Sequence, residues 1–292
     1  MIRSLESAVV RIRTADGKVV GAGFLVDERR VLTCAHVIAQ ALGLSDDALE
    51  TPPAEVYLDF PLVAPGRILT ARVIHWQLES DVAGLELDVE PPTGTQPTRL
   101  VTANDLWAHA FRAFGFPAGY DNGVWTSGRM LGREATGWVQ IEDVKEPGYW
   151  VQPGFSGTPV WDEQLNGVVG MAVAADLQRE IKAAFMIPAN LLVEAWPQLA
   201  QRSLDASSLE YLQEQLAMLE AAQQEAADPR RFQARIDELR AAIANWEGRV
   251  ERQRQRIADG LEEQRRQVAV RQRDEKRVRV VGRCPLDVTA FC

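Results

Sequence analysis

Long apolar runs are missing from this chain of 292 residues. No stretch approaches the roughly 18 to 20 apolar residues that a helix needs to cross a bilayer. The start, Met1 to Glu6, lacks the apolar core of a secretory signal. A membrane role finds no support, and a cytoplasmic location is the expectation. Cysteine is scarce. Cys34 lies far in sequence from Cys284 and Cys292, and three thiols cannot make a disulfide framework. Histidine is scarcer in effect: His36, His75 and His109 are scattered, without the Cys/His spacing of a structural metal site. Positive charge is in deficit, with 32 Lys and Arg against 41 Asp and Glu, a net charge of −9. Phosphate binding needs a basic face, so this balance argues against a general nucleic-acid binder.

What is present is enough apolar residue, 46%, to bury a core, over a length that suits about two domains. Composition changes near residue 200. Residues 1–200 hold 18 of the 21 glycines, 13 of the 15 prolines and seven of the eight tryptophans. Turn formers this dense between short apolar runs mean many short strands, as in a barrel or sandwich. Examples are Ala8 to Ile12, a turn at Asp16-Gly17, Val19 to Val26, Val56 to Leu58, Ala71 to Ile74, Val82 to Leu87 and Gly167 to Ala174. Strands do not alternate regularly with long helices, which argues against a parallel α/β sheet.

Residues 205–275 follow another period. Leu209, Leu212, Leu216 and Leu219 are spaced 3, 4, 3. After a break come Phe232, Ile236, Leu239, Ile243, Trp246 and Val250, spaced 4, 3, 4, 3, 4. This alternation puts one apolar stripe on a long helix. Asp228-Pro229 marks the break, with Asp as N-cap and Pro at the first helical position. The pattern predicts an antiparallel helical hairpin or a short coiled coil. Its stripe packs either on the first domain or on a second helix-bearing partner. Charge divides at the same place: residues 1–200 carry a net −10, while 248–283 hold 12 basic residues against 6 acids. A solvated helix face is the plain reading of that basic stretch.

Three segments carry chemistry. Val31-Leu32-Thr33-Cys34-Ala35-His36 sets a histidine just after a strand. Asp81-Val82-Ala83 sets an acid at the head of an alternating strand. Gly154-Phe155-Ser156-Gly157-Thr158-Pro159 holds a serine between glycines in a tight turn. A serine hydroxyl needs a base within hydrogen-bond reach to become a nucleophile. An imidazole can take and return a proton near neutrality. Asp59 and Asp88 compete with Asp81 but lack the following Val-Ala, and His75 and His109 lack any such setting.

In the order His, Asp, Ser, these segments resemble trypsin-like (chymotrypsin-fold) serine peptidases, and most of all their bacterial, disulfide-free Deg/HtrA-like branch. Gly167 to Gly170 and Phe185 to Pro188 are similar to that branch's last strands, so the resemblance covers about residues 1–195. It implies an all-β double antiparallel barrel over residues 1–200. Barrel one, about 1–100, would supply His36 and Asp81. Barrel two, about 101–200, would supply Ser156. A helical hairpin or coiled coil over 205–275 and a tail at 276–292 would follow. It implies a serine endopeptidase acting through an acyl-enzyme on a protein or peptide substrate, without metal or organic cofactor. His36 would be the base, Asp81 its orienting acid, and the backbone N–H groups of Gly154 and Ser156 the oxyanion hole.

Two departures inform the mechanism. Digestive members carry Asp before the nucleophile, where this chain has Phe155, so activation by insertion of a new N-terminal amine is not expected. Thr158 stands where Gly is usual. The position that is acidic in trypsin is Trp150. Trp150 and Val151, with Ala172 and Val173 as a wall, would form an apolar or shallow specificity pocket; core packing is the alternative for Trp150. The C-terminal region, ending in Val280 to Val288, is similar to the segment that joins effector domains to the ATPases of bacterial STAND-type signalling or defence proteins. No phosphate-binding loop is present in this chain. That resemblance implies regulation, by self-association or by such an ATPase, through 205–275. The rival reading is a catalytically silent peptidase-fold adaptor working through its helices.

Overall fold

The chain's structure, a computed structural model, describes residues 4–45, 50–142, 149–175 and 183–281. Cys284, Cys292 and the segment 282–288 lie outside the described residues. After a single helical turn, α1 (Ser4–Ala8), six strands follow: β1 (Val9–Arg13), β2 (Val19–Leu25), β3 (Arg30–Thr33), β4 (Glu55–Asp59), β5 (Leu69–Gln77) and β6 (Val82–Leu87). They close into one antiparallel barrel in the order β1-β2-β3-β6-β5-β4. Apolar side chains from alternating positions fill it, among them Ile12, Phe24, Leu32, Leu58 and Leu85, all fully buried. β2 is buried along both faces, because α2 (Ala35–Leu42) and the second barrel cover its outer side: Val37 of α2 lies against Gly21, and the Ala22 N–H donates to the Ser156 carbonyl.

A short strand, β7 (Leu100–Thr102), leads into the second barrel. This consists of β8 (Ala110–Gly115), β9 (Val124–Arg133), β10 (Val139–Glu142), β11 (Pro159–Asp162), β12 (Gly167–Ala175) and β13 (Ala183–Pro188). Their order is β11-β8-β9-β10-β13-β12, and β12 pairs back with β11 to complete the ring. The arrangement differs from a purely antiparallel one in one respect. β7 lies parallel to β12, and β14 (Ser203–Asp205) lies parallel to β7. Both are connecting segments that cover a sheet edge, and neither is a rung of the barrel.

Between β13 and β14 runs α3 (Ala189–Ala195), whose end delivers Trp196 to barrel one. Its indole stacks on the His75 ring, with centroids 5.3 Å apart and planes 6° from parallel. Burial lowers the His75 pKa below its usual 6.5, against a smaller opposing bond from the Ala195 backbone. The folded chain therefore refuses a proton that the unfolded chain accepts as pH falls through about 6.5, so this contribution to stability is complete above that pH and shrinks below it. Between about pH 7.5 and 5.5 the wild type should lose more melting temperature than His75→Phe; equal losses would remove His75 from the acid response.

Two contact-defined units divide the chain at residue 211, the second being 212–292. α4 (Leu209–Glu225) starts in the first unit, where buried Tyr211 donates its hydroxyl to the Leu165 carbonyl at 2.6 Å. α5 (Arg230–Val281) follows, with Asp228 Oδ1 accepting the Arg230 N–H, the capping expected at Asp228-Pro229. The pairs Glu220–Arg240 and Gln223–Gln233 make α4 and α5 an antiparallel hairpin. At 52 residues α5 far outruns the 17 of α4.

Candidate active site

The site begins where β3 ends. The Thr33 hydroxyl donates to the Ala22 carbonyl at 2.6 Å, and Cys34 breaks to extended backbone as the N-cap of α2. His36 thereby sits in the first turn of a helix whose leading N–H groups need partners from outside. Asp81 supplies them. Its carbonyl accepts the Ala35 N–H at 3.3 Å, and its Oδ1 accepts the His36 N–H at 2.9 Å. Its Oδ2 lies 2.7 Å from His36 Nδ1. One carboxylate thus caps α2 and fixes the imidazole that α2 carries. To reach both, Asp81 adopts a φ of 54°, a left-handed conformation uncommon for a residue with a side chain.

The competing acids are engaged elsewhere. Asp59 is buried and pairs with Arg11, at 2.9 and 2.6 Å, and with Arg13. Asp88 pairs with Arg72 on the surface. His109 has an acid of its own, with Nδ1 2.7 Å from Asp162 Oδ2. Asp162 is fully buried, and its other oxygen accepts the N–H groups of Gln164 and Leu165. This second pair builds the turn whose Leu165 carbonyl receives Tyr211.

Ser156 is delivered by two consecutive tight turns. The Phe155 N–H donates to the Gln152 carbonyl at 3.0 Å, with Pro153 second and Gly154 third at φ 102°. The Thr158 N–H donates to the Phe155 carbonyl at 3.0 Å, with Gly157 third at φ 84°. A left-handed third residue is the mark of type II geometry, for which Pro then Gly is the favoured pair. Both glycines are also sterically required. A Cβ on Gly154 would run into the Phe116 carbonyl, and one on Gly157 into the Ala22 carbonyl. Among the described residues, neither the Gly154 nor the Ser156 N–H donates to a backbone carbonyl, which leaves two donors for an incoming oxygen.

The two departures in this segment now have structural roles. Phe155 is fully buried, with its ring packed over Gly115, so apolar burial takes the place of an ion pair behind the serine. Thr158 is equally buried, and its hydroxyl donates to the Phe114 carbonyl at 3.2 Å, tying the turn to β8. Thr158 and β12 also exchange backbone bonds: Ala172 N–H reaches the Thr158 carbonyl, and Gly157 N–H reaches the Ala172 carbonyl. Ala172 and Val173 are therefore brought to the serine. The Ser156 hydroxyl donates to the Val173 carbonyl at 3.1 Å. No hydrogen bond joins it to His36 among the described residues. Trp150 is half-buried and Val151 buried, and among the described residues neither makes a hydrogen bond to this turn.

Sequence reasoning missed Cys34. Its thiol lies 3.5 Å from the Ala172 carbonyl and is fully buried next to the His36–Asp81 pair. Cys34 Sγ, a His36 nitrogen and an Asp81 oxygen fall within 4.8 Å of one another, a spacing that a metal ion could bridge. Burial first, then the Asp81 charge, pushes the Cys34 thiol well above its usual pKa. Metals bind the thiolate, so this thiol is a poor ligand and a good filler. Its only signal in the sequence was its place two residues before His36.

Two six-stranded antiparallel barrels, with a histidine–aspartate pair on one and a glycine-flanked serine on the other, define the chymotrypsin-like class of fold. A family model described as the trypsin-like peptidase domain matches residues 21–171, just over half the chain. The chain belongs to that family and is a serine endopeptidase. Among solved structures it is similar to a serine endoprotease from Yersinia pestis, with 18% identity and a TM-score of 0.50, over 68% of this chain and 64% of that one. It is also similar to the Rv3671c protease from Mycobacterium tuberculosis in its inactive form, with 22% identity and a TM-score of 0.48, over 67% of this chain and 90% of that one. No curated protein matches the sequence.

Proposed function

We propose that the chain hydrolyses peptide bonds through an acyl-enzyme formed on Ser156, with His36 and Asp81 completing a catalytic triad. Ser156 Oγ attacks the scissile carbonyl while His36 Nε2 takes its proton. His36 then returns that proton to the leaving amine, and water repeats the sequence to release the acid. Asp81 holds Nδ1 protonated, so that Nε2 is the basic nitrogen. The N–H groups of Gly154 and Ser156 receive the oxyanion. The observation that carries this reading is the grip of Asp81 on both the ring and the backbone of His36. For attack, the Ser156 hydroxyl must leave the Val173 carbonyl and turn toward His36, a rotation between staggered side-chain positions.

Digestion of an unfolded protein such as reduced casein, beside Ser156→Ala, tests the reaction. Wild-type cleavage that the variant lacks supports it; equal fragments from both would trace cleavage to a contaminant. Gly154→Ala should lower kcat by about 10² to 10³, because either the turn flips its N–H away or the Phe116 carbonyl is displaced. A rate within about threefold of wild type would remove Gly154 from the oxyanion site.

Trp150, Val151, Ala172 and Val173 suit a shallow apolar specificity pocket, with Ala172 and Val173 bound closest to Ser156. The helices are the route for regulation, through self-association or a STAND-type ATPase, in signalling or defence. A second role beside catalysis, assembly through the helices, draws on α5. Ile257, Leu261 and Val268 stand more than half exposed on its length beyond the hairpin. A monomer on a sizing column would sink self-association through that face.

A further inference from the structure

A cavity lies beside the loop that carries Asp81, and neither His36, Asp81 nor Ser156 lines it. Its volume is about 390 Å³, within the ~300 to 1,000 Å³ common for small-ligand sites. Barrel one contributes Glu79 and Ser80 from the β5–β6 turn. Barrel two contributes Trp138, just before β10, and Ile187 from β13. α3 contributes Leu191 and Glu194.

These residues make an unusual pairing of chemistries. Trp138, Ile187 and Leu191 form an apolar body. Glu79 and Glu194 are exposed, and among the described residues neither is paired with a cation or a hydrogen-bond donor. Gln77, Ser80 and Thr136 add neutral polar groups to the lining, and two carboxylates that meet no cation among the described residues repel an anion and favour a cation. They suit a cationic head on an apolar stem, with the stem along the indole and aliphatic wall. The net charge of −10 over residues 1–200 draws such a cation toward this domain. Ser80 immediately precedes Asp81, whose left-handed backbone is held by its surroundings. A ligand bearing on Glu79 and Ser80 therefore bears on the residue that orients His36.

We propose that this cavity binds a guanidinium or ammonium group on an apolar stem, and that its occupancy changes the reactivity of Ser156 through Ser80 and Asp81. The binding stands by itself; its effect on Ser156 rests on the triad proposed above. The same cation could arrive as a free small molecule or as an arginine side chain, so agmatine and an acetylated Ala-Arg-Ala amide are the two probes.

Calorimetric titration of the Ser156→Ala chain separates binding from turnover. Saturable binding of agmatine or the peptide below about 10 mM is expected, with pentanamide as the neutral control failing to bind. Glu79→Gln with Glu194→Gln should weaken it at least about fivefold. Leu191→Trp, which fills the cavity, should remove it, and thermal unfolding shows whether each variant is folded. Tighter binding of the peptide identifies a polypeptide as the source, and equal or tighter binding of agmatine a free cation. No saturation, equal binding of pentanamide, or unchanged binding in the folded variants overturns the site. For the second half, saturating agmatine should change the rate of fluorophosphonate labelling of the wild type at least about threefold, and leave the double variant unchanged. Binding without any change in labelling rate overturns the coupling and leaves the site.

Discussion

Ser156→Ala should lower kcat for peptide hydrolysis by between about 10³ and 10⁶, with little change in melting temperature. The loss is large because the hydroxyl is the atom that forms the acyl bond, and the other members of a triad cannot act without it. The structural cost is small. The Ser156 side chain makes one neutral hydrogen bond, to the Val173 carbonyl, and its carbonyl and flanking turns are backbone features that alanine keeps. A neutral bond of this kind contributes about 1 kcal/mol. Activity that survives at more than a tenth of wild type would mean that another residue is the nucleophile.

Asp81→Asn should lower kcat by about 10⁴. An asparagine here can keep its oxygen on the His36 backbone N–H and still cap α2. Its NH₂ must then face His36 Nδ1, which can only accept from it. That moves the ring proton to Nε2, where it blocks removal of the Ser156 proton. The same substitution leaves the left-handed backbone tolerable, since Asn adopts it more readily than most residues. Asp81→Ala removes ring partner and helix cap together. It should therefore also destabilise by about 1 kcal/mol or more, whereas the Asn variant should melt close to wild type. Equal stability losses in the two variants would mean that the cap is not made by the side chain. An Asn variant within about tenfold of wild-type kcat would contradict the orienting role.

Much of the peptidase domain was legible because its signals are local. Gly and Pro density marks short strands, and the His, Asp and Ser segments each include the local backbone context on which the resemblance rests. The Asp228-Pro229 break was legible for the same reason: capping depends on residues a few positions apart. The rest depends on pairings between distant positions. Nothing near Cys34 indicates that it fills the space behind His36 and Asp81, because Ala172 lies 138 residues away. Nothing near His109 indicates Asp162, 53 residues later. The parallel edge strands β7 and β14 are three residues each, too short to show a period. The Asp81 contacts with Ala35 and His36 join positions 45 or more residues apart, which no local pattern shows.

Phe155 and Thr158 show how this chain holds its serine without the zymogen ion pair. A buried ring on Gly115 and a threonine hydroxyl on the Phe114 carbonyl fasten the turn from behind. Neither needs a freed N-terminus, and barrel one adds the Ala22 N–H on the Ser156 carbonyl.

Labelling with a fluorophosphonate probe, followed by mass spectrometry of the adduct, tests the central claim most directly. The reagent reacts quickly only with a serine whose proton a neighbouring base removes. The account predicts one adduct on the wild-type chain, mapped to Ser156. It predicts none on His36→Ala at the same exposure. A folded wild type that takes up no label, or an adduct mapped to any other residue, would contradict it.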